Sequence, residues 1–284
     1  MAEPRATAVT VVTDSTADLP PALRDPLGIV VVPLLVRFGE ETFRDGVDLT
    51  PEAFLQRLRT SSTLPKTSQP AVSDFEAVFR AEREAGHDVV CITISAELSG
   101  THNSARLAAE AVDPAHITVI DSRAVTMQLG WIAVTAARAA QGGASFPDVA
   151  DAARTAITRA KLFAVLQTLE YVHRGGRIGR ASQLVGSALA IKPVLTLVDG
   201  IVTPLERVRT WKRAVRRGVE LAIEQAPLSD VVVMHTDNLP DAEEIATSLH
   251  AAAPSAAISI AYAGSVLGTY AGPGAIGIAL LKAE

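Results

Sequence analysis

The feature that most constrains this chain is a repeated alternation through its first half. A short apolar run gives way to a polar segment rich in Ser, Thr and Gly, then to a stretch of helical period. That order is the signature of βαβ units, whose parallel strands are covered by crossover helices. The apolar runs predict strands at residues 8–12, 29–36, 88–94 and 117–120. Ser73 with Glu76 predicts a capping box opening the helix DFEAVFRAEREAG, which Gly86 ends. Further helices are predicted at about 51–60, 102–112, 125–141 and 148–160. Apolar residues make up 48% of the chain but aromatic ones only 4%, so the core is built from Ala, Val, Leu and Ile. These are the materials of a largely parallel sheet with flanking helices.

The second half reads differently. QGGASFP, at 141–147, breaks the pattern, and a helix follows it, so the sequence predicts two domains with a boundary near residue 160, spanning 1–160 and 161–284. KLFAVLQTL predicts a strand. PVLTLVDGIVTPLERV predicts two strands joined at Asp199-Gly200, a two-residue hairpin signal. Thr210 is placed to cap the helix WKRAVRRGVELAIEQA, and the strand DVVVMHT, a helix at 240–252 and the strands AAISIAYA and GAIGIALL follow. The expected fold class is α/β, with a largely parallel N-terminal sheet and a C-terminal mixed sheet.

Charge and composition exclude several function classes. The net charge of -5 removes the global attraction that supplies most non-specific nucleic-acid affinity. The charge is uneven, since residues 171–217 hold ten Arg or Lys against Asp199 and Glu206, a local basic face suited to an acidic partner or a phosphate. No apolar run reaches the roughly eighteen residues of a membrane span, and MAEPRATAV lacks the pattern of a signal peptide, so a cytoplasmic protein without stable membrane insertion is expected. Cys91, inside VVCITI, reads as an inert core thiol.

Polar loops beside strand ends are where α/β sheets hold ligands. Three stand out: TDSTADLP at 13–20, KTSQP at 66–70 and SAELSGTHNSA at 95–105. In the last, Ser99, Gly100 and Thr101 lie between a strand and a helix, so backbone N–H groups and two hydroxyls can converge on an anion; equally, Ser99 and Thr101 can serve only as caps. TDSTADLP has a plain account as a turn. The segment from Gly264 to Gly274 is glycine-dense, fitting a close approach to a ligand or a tight turn into the last strand. Arg174 to Arg180 looks like a phosphate loop but lacks its Gly-Lys-Ser/Thr ending, and the six histidines lack zinc-site spacing. Ser99 with His102 or His173 leaves a hydrolase or acyl transferase open as an alternative.

Taken together, VTDSTADLP, KTSQPAVSDF, LSGTHNSA, VIDSRAVTMQLG, YVHRGGRIGRAS, SALAIKPVLTLVDG and GTYAGPGAIGIAL resemble the DegV family, the fatty-acid-binding subunits of bacterial fatty acid kinase, across nearly the whole chain. The resemblance implies a two-domain α/β protein holding one long-chain fatty acid in a buried tunnel between the domains. Its carboxyl group would sit near the TSQP and LSGT loops. Carried over, Thr67 and Ser99 are the hydroxyls that hydrogen-bond the carboxylate, with Ser68, Gly100, Thr101 and Tyr270 around it. The family acts with a separate ATP-using kinase that phosphorylates the bound acid, in phospholipid metabolism, so no cofactor, metal or catalytic residue of its own is implied. Arg177 and Arg209 match basic positions expected to face the kinase or the acyl phosphate. The chain departs from the family pattern twice: Tyr270 stands where the family usually has His, and His102 where it usually has Tyr. A tyrosine hydroxyl donates a hydrogen bond but brings no positive charge near neutral pH, and His102 approaching the same spot would be a swapped pair. A carrier of another amphiphilic acid is a third reading.

Overall fold

The computed structural model describes residues 8–184 and 191–283. Residues 1–7, which carry most of the MAEPRATAV segment, and Ser187–Ala190 of the matching SALAIKPV segment lie outside the described residues.

The first strand, β1 (Val9–Asp14), is an apolar run whose last four residues are buried. A four-residue helix α1 (Pro21–Arg24) leads to β2 (Val30–Val32), β3 (Leu35–Phe38) and β4 (Glu41–Arg44). The single strand expected at 29–36 is therefore two strands in two sheets. Pro33 explains the break, because it has no N–H to continue the ladder. Helix α2 (Pro51–Thr60) starts with Pro51 behind Thr50, whose hydroxyl accepts from the Ala53 N–H at 3.2 Å. Next comes β5 (Lys66–Ser68), so the first three residues of KTSQP form a strand, not a loop.

Helix α3 (Val72–Glu84) begins earlier than the expected Ser73 cap: Asp74 sits in its first turn and its carboxylate accepts from the Ala71 N–H at 2.8 Å, so Ser73 is inside the helix. Then follow β6 (Asp88–Thr93), α4 (Thr101–Val112), β7 (Ile117–Asp121), α5 (Met127–Gln141) and α6 (Phe146–Arg159). The strand read from KLFAVLQTL is shorter, β8 (Ala160–Val165), because the Thr168 hydroxyl accepts from the Glu170 N–H at 3.1 Å and starts α7 (Glu170–Arg174).

A 3-10 turn at Gly179–Leu184 precedes β9 (Lys192–Val198) and β10 (Ile201–Val208), joined at Asp199-Gly200 as expected, both in the left-handed region (φ 52° and 78°). Helix α8 (Trp211–Ile223) starts after Thr210, whose side chain makes no capping bond. The chain ends with β11 (Leu228–His235), α9 (Leu239–Ala252), β12 (Ala257–Tyr262), α10 (Ser265–Ala271) and β13 (Ile276–Lys282). The glycine-dense segment is thus largely a helix rather than a turn.

Three sheets result. The first is parallel, in the order β2-β1-β6-β7; the second is mixed, β10-β9-β8-β13-β11-β12; the third is a small antiparallel sheet, β4-β3-β5. The α/β class with one parallel and one mixed sheet agrees with the sequence. Helix α5 is buried on all sides from Met127 to Val134, as a helix between two sheets must be. Its core cluster joins Val90 and Ile92 of the first sheet to Leu162, Met234 and Ala279 of the second. The Trp131 indole N–H donates to the Ala279 carbonyl at 3.1 Å across that junction.

Candidate functional site

The strand pairing of β5 against β3, with Thr67 opposite Val36, carries the Thr67 hydroxyl to the edge of the small sheet. Helix α10 brings Tyr270 to meet it, and the two hydroxyl oxygens are 2.5 Å apart. Two glycines make that approach possible. A Cβ on Gly268 would lie 2.6 Å from the Phe54 ring of α2, so α10 packs against α2 only through glycine; a Cβ on Gly175 would lie 2.5 Å from the Tyr270 ring. The Arg177 guanidinium lies over that ring, 5.4 Å from its centroid. It donates to the Leu98 carbonyl at 3.3 Å and the Gly175 carbonyl at 2.9 Å, which ties the RGGR segment to the SGT segment.

Ser99 completes the polar end. Its hydroxyl lies 2.9 Å from that of Thr101 and accepts from the Thr101 N–H at 3.3 Å, so it also steadies the start of α4. Thr67, Ser68, Ser99, Arg177 and Tyr270 all line one cavity, together with Gln69, which the sequence did not single out. Gln69 packs on Gly100, where a Cβ would be 2.8 Å from its amide nitrogen. Gly100 and Thr101 stand behind this wall rather than in it. Arg209 is apart from the cavity, in the turn between β10 and α8. His102 is also turned elsewhere: its Nδ1 is 3.1 Å from the Thr93 hydroxyl, and it lines a separate surface groove with Asp121 and Arg123. The swapped Tyr–His pair is therefore not formed, and His102 does not reach Ser99 as a base.

Behind the polar end the cavity is apolar. About 930 Å³ lies free of protein atoms, including the part open to solvent, between Ile94, Leu98 and Val125 on one side and Leu162, Leu195 and Val202 on the other. Its origin is a splayed ladder. Strands β8 and β9 pair only at Ala164–Leu195 and Val165–Val194, after which β9, still paired with β10, parts from β8. The Thr196 hydroxyl, donating to the Leu162 carbonyl at 2.7 Å, satisfies one group where the ladder has opened. The hairpin tip lands on the first sheet, where the Ser95 hydroxyl donates to the Gly200 carbonyl at 2.9 Å. The apolar lining residues were unreadable as such in the sequence, because only this splay separates them from an ordinary core.

The charges near α10 are distinct from the cavity. Asp45 accepts from the Ser265 N–H at 3.1 Å, at the first turn of α10, and Asp18 faces Gly264, where a Cβ would be 2.3 Å from its carboxylate. Asp14 accepts from the Thr16 and Ile94 N–H groups at 3.0 and 2.7 Å, so TDSTADLP is a turn built on a buried acid. Burial pushes the Asp14 carboxyl up to about 6, and raises Asp18 and Asp45 as well, the Asp45 charge adding to the rise in the other two. Burial also raises the Cys91 thiol far from its reactive range, as an inert core thiol requires. Among the described residues no group of three His, Cys, Asp or Glu is arranged to hold a metal ion, and no helix is long and apolar enough to cross a membrane.

The model of the DegV family, described as a family of uncharacterised proteins, matches residues 8–283. The chain belongs to the DegV family. A DegV domain-containing protein of Halalkalibacterium halodurans is 37% identical over 96% of this chain and 98% of its own length. Protein DegV of Bacillus subtilis is 33% identical over 95% of this chain and 98% of its own. Among solved structures, the chain is similar to a fatty-acid-binding DegV family protein from Thermus thermophilus (31% identity, 97% of this chain and 99% of that one, TM-score 0.90). It is similar also to a stearic-acid-binding protein from Eubacterium ventriosum (28% identity, 96% and 98%, TM-score 0.88). The DegV fold here therefore carries a cavity with an apolar body and one polar end.

Proposed function

We propose that this chain binds one long-chain fatty acid, with its tail in the cavity behind Thr67 and Ser99, and presents the carboxyl group to an ATP-dependent fatty acid kinase in the cytoplasm. The reading rests on one observation above others: Thr67, Tyr270, Arg177 and the Leu98–Ser99 segment meet at one end of the cavity, and of the remaining lining only Ser68, Gln69 and Thr196 are polar, the Thr196 hydroxyl being spent on the Leu162 carbonyl. The relatives described as fatty-acid-binding support the same ligand class.

Energetics make the tail sufficient for binding. A saturated chain with about fifteen apolar carbons, at ~0.8 kcal/mol per buried methylene, contributes at most about 12 kcal/mol, from which immobilisation takes back several. The head group then has only to be satisfied, since a buried carboxylate without partners is costly. Thr67, Ser99 and Tyr270 offer neutral donors, and Gly100 and Thr101 hold Ser99 in place behind them. Arg177 is the cation at this end, and its guanidinium is already engaged with two carbonyls. A carboxylate held by hydroxyls keeps an oxygen more available to a phosphoryl donor than one clamped by a bidentate ion pair. No residue of the chain is assigned a catalytic role, because His102 is engaged with Thr93 and His173 is exposed on α7.

The test is mass spectrometry of small molecules released by denaturing the purified protein. Acyl masses support the reading; a prenyl, sterol or other non-acyl mass refutes it. Addition of a fatty acid kinase and ATP to the acyl-loaded protein should then give acyl phosphate, and no turnover without the kinase.

A further inference from the structure

Across the middle of the second sheet, Leu195, Ala164, Gly277 and Met234 stand opposite one another on β9, β8, β13 and β11. Residues paired in this way share one face of the sheet. Leu195 and Ala164 line the cavity described above. Ala164, Gly277 and Met234 line a second chamber, about 390 Å³ free of protein atoms including the part open to solvent. The two spaces share Leu162, Ala164, Leu166, Leu267 and Ala271 as walls, so they adjoin across the strands and are together termed the trench.

Gly277 is the unexplained residue of this trench. Glycine inside a central strand loses more chain entropy than any other residue and packs nothing, so it needs a reason. The backbone does not supply one, since Gly277 is not among the residues of positive φ. Packing does not either: a Cβ there would lie 3.5 Å from Met234 Cβ and 3.6 Å from a Leu162 methyl, both ordinary contacts. Yet Gly277 keeps accessible surface although Ile276 and Ile278 beside it are only 1% and 0% exposed. Its partner Ala164 does the same between buried Phe163 and Val165. Accessible surface at the centre of a six-stranded sheet is the surface of the chamber. The same two neighbours that a Cβ would meet, Met234 and Leu162, are chamber walls, so a side chain on residue 277 would project into it.

We propose that Gly277 keeps the trench open for the distal end of the acyl chain and thereby sets the longest chain the protein accepts. This rests on the fatty-acid reading above and adds to it a residue that selects among fatty acids. Short chains end before the junction at Leu162 and Leu267; longer ones pass over Ala164 and lie against Gly277. Each methylene kept out of the trench costs about fourfold in affinity.

The experiment compares delipidated wild type, Gly277→Ala and Gly277→Val in titrations with saturated acids from dodecanoate to eicosanoate. Valine suits a central strand, and circular dichroism with a thermal melt checks that each variant is folded. The expected result is an unchanged dodecanoate affinity in all three proteins and a loss of about tenfold or more for the longest acids in Gly277→Val. Gly277→Ala gives a smaller loss in the same direction, and carries the test alone if the valine variant does not fold. Profiles that superimpose on the wild type, or that drop equally at every length, overturn the role of Gly277 while leaving the fatty-acid reading intact. A wild type that binds none of the series overturns that reading, and this inference with it.

Discussion

The hydroxyls of Thr67 and Tyr270 lie 2.5 Å apart although 203 positions separate them in sequence. One belongs to a three-residue strand and the other to a two-turn helix that packs on the same small sheet through Val266 and Tyr270. Each hydroxyl can donate to the other or to a ligand oxygen, so an arriving carboxylate finds two donors already adjacent.

Removing either hydroxyl should therefore weaken fatty-acid binding without unfolding the protein. Thr67→Val and Tyr270→Phe keep shape and remove one donor each. A net hydrogen bond of about 1 to 1.5 kcal/mol predicts a loss of roughly five- to tenfold for each. The double variant should lose less than the product of the two, since the groups act as a unit. Displacement titration with a fluorescent fatty acid measures all three; strict additivity would show that the two hydroxyls act independently.

Gly175 offers a test of the same end through packing. With a Cβ 2.5 Å from the Tyr270 ring, Gly175→Ala cannot be accommodated unless the ring or the segment after α7 moves. Separation of Tyr270 from Thr67 should follow, with an affinity loss near that of Tyr270→Phe and a lower melting temperature. A variant that binds as the wild type does would show that Tyr270 is not needed in its observed position.

How much of this was legible in the sequence follows from where each signal lives. The strands of the first sheet were readable because each is a mostly apolar run, β6 being buried throughout, and the β9–β10 hairpin because Asp199-Gly200 tolerates positive φ. The small sheet was not. Its β4, Glu41–Arg44, is largely exposed, and β5 has three residues, so neither makes an apolar pattern. Helix α10 was hidden by the glycines before and within it, which serve entry beside Asp18 at Gly264 and contact with Phe54 at Gly268. Ser99 stands out by its place between a strand and a helix, whereas Thr67, Tyr270 and Arg177 take their roles from family resemblance, and no spacing rule predicts that the four meet. The cavity itself depends on the length of the β8–β9 ladder, a tertiary property absent from local pattern.

The buried acids predict an unusual pH dependence. A carboxyl whose folded value is raised favours the protonated form in the native state, so its stabilisation is complete below the ordinary value and is lost as pH rises through the folded one. For Asp14 that window runs from 3.8 to about 6, and the change is worth roughly 3 kcal/mol. Asp18 and Asp45 act in the same sense. His235, lowered by burial, acts in the opposite sense, losing stabilisation as pH falls below 6.5. The decisive quantity is therefore the difference in slope: between pH 4 and 6 the denaturant midpoint of the wild type should fall with rising pH more steeply than that of Asp14→Asn. Equal slopes would mean that Asp14 does not take up a proton in this range.

The two arginines assigned by resemblance stand in different places, and this separates ligand binding from partner recognition. Arg177 covers the Tyr270 ring and holds the Leu98 and Gly175 carbonyls, so Arg177→Gln should loosen the cavity's polar end and lower fatty-acid affinity by several-fold. Arg209 does not line the cavity and lies exposed in the turn after β10, within the basic stretch. Some of that stretch is neutralised locally, since Arg217 pairs with Glu206, Glu220 and Glu224, and Arg216 with Glu220. No ion pair engages Arg209 among the described residues, which leaves its charge open to an acidic partner surface. Arg209→Gln should bind fatty acid as the wild type does, yet slow kinase-dependent formation of acyl phosphate, with the deficit growing as ionic strength falls and the wild-type attraction strengthens. Equal rates for wild type and Arg209→Gln at low salt would remove Arg209 from the kinase-facing surface.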